Sequence, residues 1–245
     1  MDQPQVSGQH APPIPYPCGA VGLPELENGD RLMRAEFERR YDAMPRLKKA
    51  ELIKGVVYVG PPVKMKLRAA PHAAMVAWLG IYAAATPGVE ACDGGSVRLD
   101  EENMPQPDGV LRILEEFGGQ ALVDEDDYLQ GAPELVVEVA SSSASYDLHD
   151  KKDIYGLFGV REYIVWRTHD CVLDWFRLES NAYVRVEPAA DGIIESGVFP
   201  GLRLNVPALL ADEMATVMAE LQNGLASPAH AAFIEQLQAV PVARP

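Results

Sequence analysis

The sequence predicts an α/β fold, a central β-sheet flanked by helices and followed by a C-terminal helical extension. Three observations within Pro133–Trp166 carry that prediction. Leu135, Val136, Val137, Val139 and Ala140 form an apolar run broken only by Glu138. It reads as a strand buried on both faces, because consecutive β-branched residues leave no polar side. From Ser145 an amphipathic helix follows, with Leu148, Tyr155 and Phe158 on its stripe, Ile154 alongside, and Gly159 placed to end it. Ser143 and Ser145 are its candidate N-caps, and Asp147 and Asp150 lie in its first turns, where the dipole favours anions. Glu162–Val165 then opens a second strand, so strand, helix and strand succeed one another directly.

The other elements follow in chain order. Residues 1–24 hold six prolines among small and polar residues, which reads as a disordered segment. Arg34–Met44 is a docking helix with Phe37, Tyr41 and Met44 on one face, stopped by Pro45. Glu51–Gly60, rich in Val, is a strand or hairpin arm. After Pro61 and Pro62 the chain reads as a mobile loop to Ala70, then as a helix from Pro71 to about Ala85, ended by Pro87 and Gly88. Val89–Leu99 is a strand with a turn or bulge at Gly94 and Gly95. Pro105 and Pro107 force extended backbone ahead of a further strand at Val110, Leu111, Ile113 and Leu114. Gly118–Gly131, with an acidic run at residues 124–127, is a variable hairpin loop. Val172–Leu178 pairs with the Glu162 strand through Thr168, His169 and Asp170, and Tyr183–Val186 and Ile193–Val198 continue a meander. Pro207–Leu225 and Pro228–Gln238 are amphipathic helices, the second capped by Ser227, which either pack on the core or mediate dimerisation. The expected organisation is a proline-rich segment (1–24), one core domain (25–206) and a helical extension (207–245).

Composition limits the function. Hydrophobic residues at 48% and charged residues at 23% are ordinary for a soluble globular chain. Met75–Ala85 is the longest apolar run and is too short to span a bilayer. The first residues lack a basic region followed by an apolar one, so no signal peptide is read, and a cytoplasmic location is the default expectation. Cys18, Cys92 and Cys171 are too few and too dispersed for a disulfide framework or a zinc cluster. The net charge of −15 weighs against nucleic-acid binding, which draws much of its affinity from neutralised phosphates. Basic residues cluster locally at Arg31–Lys54 and Lys64–Arg68, either as one positive face or as solvated helix surface.

Three charged residues stand where packing would place apolar ones. Glu138 interrupts the buried strand, and a carboxylate there must be hydrogen-bonded, paired or bound to a metal. Lys151, three after Leu148 and four before Tyr155, projects from the helix face that docks on the sheet, whereas Lys152 is rotated by about 100° toward solvent. Asp108 follows the two prolines at the start of a strand. Two carboxylates on neighbouring strands and a lysine on the adjoining helix suit a hard cation, water activation and phosphodiester hydrolysis. Three further residues have open readings. Glu51 is a metal ligand or an exposed strand end, His72 faces the cleft or is structural, and Arg98 faces a phosphate or solvent.

At these residues the chain resembles a known family. PQPD, ELVVEVASSS and DLHDKKDIYGLFGVREYIVW are similar to the signature of the Uma-type restriction-endonuclease family, a bacterial branch of the PD-(D/E)XK nuclease superfamily. The resemblance covers roughly Leu23–Leu204, with KKAELIKGVVYVGPP similar to the family's first strands. It implies a restriction-endonuclease-like core with a mixed sheet. Asp108 matches the Asp of the PD element and Glu138 the acidic residue of (D/E)XK. Ala140 stands where the lysine of that element would be, and Lys151 matches a lysine moved to the following helix. Glu51 matches an acidic residue often counted with the site. Trp166 and Arg167 depart from the pattern, since relatives often carry Asp there.

The resemblance implies catalytic roles for Asp108, Glu138, Lys151 and Glu51. It also implies one Mg²⁺ or Mn²⁺ held by Asp108, Glu138 and the carbonyl of Val139, and DNA as substrate. Cutting both strands of a palindrome would call for a homodimer. Two alternatives stay open: Glu138 and Lys151 as a buried ion pair that fixes the helix on the sheet, and a catalytically silent binding or regulatory module on the nuclease scaffold.

Overall fold

A computed structural model describes residues 22–60, 63–141 and 143–240. Most of the segment expected to be disordered, residues 1–21, lies outside them. The architecture is mixed α/β, as expected.

The strand Leu135–Ala140 (β8) is the centre of the sheet, and all six of its residues are buried. Side chains alternate across a strand, so Leu135, Val137 and Val139 pack on one side and Val136 and Ala140 on the other. Around β8 the sheet has six strands in the order Ala182–Arg185 (β11), Val172–Glu179 (β10), Glu162–Arg167 (β9), β8, Gly109–Ile113 (β5), Val89–Cys92 (β3). Only β8 and β9 are parallel, with Glu138 beside Val165; the other pairings are antiparallel, and Gly109 opposes Val137. The parallel pair requires a crossover, and the predicted helix supplies it. Asp108, one residue before β5, is thereby delivered beside Glu138.

The crossover is one continuous helix with a defect. Ala144–Tyr146 (α3) runs into a π-helical turn at Asp147–Lys151 and then into Lys152–Phe158 (α4), which Gly159 ends in a left-handed conformation at φ 89°. Ser143 does not cap a backbone amide. Its hydroxyl donates to Asp147 Oδ2 at 2.5 Å instead. Lys152 is half-buried rather than solvated, its ammonium 3.8 Å from the centre of the Phe176 ring, a cation–π contact.

The other face of the sheet is covered by Ala70–Ala85 (α2), which buries Met75, Trp78, Leu79 and Tyr82. Trp78 meets Trp175 of β10 edge-on at 6.1 Å. The predicted loop ahead of α2 is a second π-helical turn, Met65–Ala69. The expected C-terminal helix over 207–225 is two helices, Val206–Leu210 (α5) and Met214–Leu225 (α6), because Asp212 adopts φ 60° between them. Pro228–Gln238 (α7) starts as predicted, with Ser227 Oγ accepting the His230 amide. Val217, Leu221, Phe233 and Leu237 join the α2 core, so these helices pack on the sheet domain.

The hairpin Ala50–Ile53 (β1) and Val56–Val59 (β2) turns through Lys54 at φ 51° and Gly55 at φ 71°. Two successive positive φ values match the twist of a two-residue hairpin. Leu52 bridges Met104, which fixes the hairpin beside the PQPD segment, and helix Arg34–Asp42 (α1) closes this satellite core with Phe37. The predicted Val89–Leu99 strand is split: past Gly94, Val97–Arg98 (β4) leaves the main sheet to join the loop hairpin of Leu122–Val123 (β6) and Leu129–Gln130 (β7). Ile193–Glu195 (β12) and Arg203–Asn205 (β13) form a separate pair. Among the described residues no helix is long and apolar enough to cross a membrane.

Candidate functional site

Four elements converge at the C-terminal end of β8. From the crossover helix, Lys151 Nζ lies 2.6 Å from Glu51 Oε1 of β1, 2.8 Å from Glu138 Oε1 of β8 and 3.6 Å from Asp147 Oδ1. The Tyr155 hydroxyl donates to Glu138 Oε1, and the Gln106 amide donates to Glu51 Oε1. Asp108 accepts the Val139 amide at Oδ2, and its Oδ1 meets Lys49 Nζ at 2.9 Å and Arg68 Nη2 at 2.5 Å. Arg68 Nη1 also donates to the Val139 carbonyl. Lys151 and Glu138 are 1% exposed and Asp108 3%, so the charges are desolvated and hold one another.

Asp108, Glu138, Lys151 and Glu51 are thus brought together. His72 and Arg98 are not in that cluster. His72 Nε2 sits 2.7 Å from Asp93, and Arg98 is bound by Glu38, Asp124 and Asp126, which answers both open readings with internal partners. Much of the expected basic face is similarly neutralised. Arg34, Arg39 and Arg40 pair with Glu36, Glu38 or Glu101, and Lys54 pairs with Asp150 and Asp153.

Of three further members of the cluster, two carry a sequence signal and one carries none. Lys49 lies two residues before Glu51, and side chains at that spacing share a strand face. Asp147 lies four before Lys151, the spacing of a helical ion pair. Arg68 had no signal, because its segment was read as loop. Both π-helical turns described above carry a cation of the cluster, Arg68 in one and Lys151 in the other. An inserted residue widens such a turn, and π-bulges are frequent at functional sites.

Burial and charge split the carboxylates. Burial pushes Glu138 up to about 8, with the neighbouring Asp108 charge adding to it and Lys151 only partly opposing. For Glu51, burial is outweighed by Lys151, Lys49 and the Gln106 amide, which hold it below the usual range. Asp108 is likewise held low, Lys49, Arg68 and Lys151 overcoming its burial. Burial acts to lower the Lys151 ammonium, but Glu138, Glu51 and Asp147 raise it well above normal. At neutral pH the floor of the site is therefore charged Lys151 and Glu51 with a protonated Glu138.

A pH dependence follows. Below 4.5, the ordinary value, Glu138 is protonated in both states, and between 4.5 and about 8 the folded protein keeps a proton that the unfolded chain has released. The contribution of Glu138 to stability is then fully present at low pH, falls as pH rises across that window, and is level above it. Glu138→Gln, which cannot titrate, is expected to gain at least about 1 kcal/mol relative to wild type between pH 5 and pH 8 in urea unfolding. A constant difference would show that Glu138 is ionised throughout.

Asp108 Oδ1 and the Val139 carbonyl already share one cation, the Arg68 guanidinium, each accepting from a different nitrogen, so both oxygens face the same side chain. Glu138 lines the same cleft, and oxygen donors of this type suit Mg²⁺ or Mn²⁺. Among the described residues no three carboxylate, imidazole or thiol groups are gathered into a ready-made cage, so ligation would draw on the backbone carbonyl and on displacement of Arg68.

The model of the Uma2 family, described as "putative restriction endonuclease", matches residues 34–207. The chain belongs to the Uma2 family. No curated protein sequence matches it. Its structure is similar to the crystal structure of a "putative nuclease belonging to DUF820" from Anabaena variabilis. The two are 12% identical with a TM-score of 0.52, over 75% of this chain and 97% of that one. At that identity the likeness shows a shared fold.

Proposed function

We propose that this Uma2 chain is a metal-dependent endonuclease that hydrolyses phosphodiester bonds of DNA. The observation that supports this most is the meeting of Glu138, Glu51 and Lys151 from separate elements at one open cleft, with Asp108 directly behind the cleft-lining Lys49 and Arg68. A structural ion pair needs Glu138 and Lys151 alone. It does not need Asp108 oriented by the Val139 amide behind the same cleft.

Asp108, the Val139 carbonyl and Glu138, the last giving up its proton as the ion binds, would hold one Mg²⁺ or Mn²⁺. Such an ion, when bound, polarises the scissile phosphate and lowers the pKa of a water. Lys151 donates to that water and offsets negative charge building on the phosphoryl oxygens. Glu51, 2.6 Å from Lys151 Nζ, holds the ammonium in place and charged. The water oxygen bonds to phosphorus as the bond to the 3′ oxygen breaks, leaving a 5′-phosphate and a 3′-hydroxyl, the outcome implied by the superfamily resemblance.

Plasmid nicking in Mg²⁺ or Mn²⁺ tests this. Wild type is expected to nick, and Asp108→Ala is expected to lose at least about a hundredfold in rate together with metal binding in calorimetry. A second reading is a silent module on the same scaffold, favoured by the tight closure of Lys151 on Glu51 and Glu138 and of Arg68 on Asp108. Wild type that neither binds metal nor nicks would establish it.

A further inference from the structure

We infer that the cleft accepts one unpaired nucleotide at a time, its base against the Tyr58–Tyr146 pair and its phosphate against Lys49 and Arg68. The substrate class is then a single-stranded or locally unpaired strand. This rests on the nuclease reading for the chemistry, but the binding stands on separate observations.

The first is depth. Glu138 and Lys151 are 1% exposed and line a cavity of about 300 Å³, and Asp108, 3% exposed, lies behind Lys49 and Arg68 of the same lining. That volume is the low end of ligand pockets, roughly 300–1,000 Å³, and suits a single nucleotide. The major groove alone of B-DNA is about 12 Å wide, so the duplex cannot descend into such a space.

The second is the wall. Tyr58 of the hairpin and Tyr146 of the crossover helix both line the cleft, with ring centroids 4.1 Å apart and planes tilted by 34°. The Lys151 ammonium, 5.4 Å from the Tyr146 ring centre, braces that ring. The Tyr146 hydroxyl is buried without a hydrogen-bond partner, which a base edge would supply.

The third is charge. On a chain of net charge −15, Arg34, Arg39, Arg40 and Lys54 are already engaged by carboxylates. Lys49 and Arg68 both line the cleft and share a single carboxylate, Asp108, so two cations there face one paired anion. Stacking on the tyrosine wall adds to the pull of these two cations, and it needs an exposed base face.

Fluorescence anisotropy on the full chain in EDTA and low salt tests the inference, with a labelled short oligothymidylate, an oligouridylate and a duplex of equal length. Wild type is expected to bind a single strand at least about tenfold more tightly than the duplex. Tyr58→Ala should weaken that binding by at least about fivefold, the lower bound for one aromatic stack, and Tyr58→Phe should retain it, with thermal melting confirming that both variants fold. General attraction to cations would rank the more highly charged duplex first, so the reversed order reports the aromatic wall. The tighter of the two single strands identifies the sugar. Duplex binding as tight as single-strand binding, or an unchanged Tyr58→Ala, overturns the inference. Nicking with no single-strand preference would leave the nuclease reading intact while removing this one, and single-strand binding lost in Tyr58→Ala without any nicking would do the reverse.

Discussion

Lys151→Ala is expected to abolish nicking and to destabilise the fold by about 3–5 kcal/mol, the cost of breaking a buried ion cluster by removing one partner. Three carboxyl groups depend on this ammonium: Glu51 at 2.6 Å, Glu138 at 2.8 Å and Asp147 at 3.6 Å. Each is buried, so none can turn to water when the charge is removed. For a domain of this size each kcal/mol lowers the midpoint by roughly 2–4 °C, so a drop of roughly 6–20 °C in thermal unfolding is the reading to look for. The protonated Glu138 softens the loss, because one of the three groups is already neutral. Glu51→Gln combined with Glu138→Gln in the Lys151→Met background should recover much of the stability without recovering cleavage, since replacing a whole buried network by neutral groups is far less costly than halving it. Lys151→Ala within about 1 kcal/mol of wild type would mean that the cluster does not hold the crossover helix on the sheet. That outcome would remove the structural explanation for Lys151 and leave only a chemical one.

The core strands and the crossover helix were legible because their signals are local. Consecutive β-branched residues in β8, apolar spacing in the helix and Gly159 at its end each dictate one geometry. Glu138 and Lys151 stood out by the same logic, as charges inside apolar frames. Asp108 was placed by its two prolines, and the register of β5 against β8 then set it beside Glu138. Arg68 was hidden because nothing local distinguishes a π-helical turn from a loop of basic residues, and its partners are 40 and 71 positions away. Arg98 misled for a related reason: Glu38 and Asp124 reach it only once β4 leaves the main sheet. The break at Asp212 escaped because an amphipathic pattern survives a one-residue excursion to positive φ. What remained illegible is long-range pairing of surface-type residues, for which hydrophobic periodicity carries no information.

Arg68→Ala is expected to tighten Mn²⁺ binding by at least about tenfold in calorimetry, a change of about 1.4 kcal/mol in binding free energy. The guanidinium bridges Asp108 Oδ1, at 2.5 Å, and the Val139 carbonyl, two of the three donors assigned to the metal. A cation arriving there must displace it, and the free energy of those two charge-assisted bonds is subtracted from the affinity of the ion. Removing Arg68 removes the competitor but also removes a partner of Asp108. In EDTA the variant should therefore be less stable than wild type by about 1–3 kcal/mol, with Lys49 at 2.9 Å keeping Asp108 paired. Added Mn²⁺ should restore stability further in the variant than in wild type, because ligand binding to the folded state stabilises it by an amount that grows with the logarithm of affinity. Unchanged or weaker Mn²⁺ binding would show that the ion and the guanidinium do not share a position. The two signs, lower stability without metal and higher affinity with it, separate a competing cation from an ordinary structural salt bridge, which would lower stability and leave metal binding where it was.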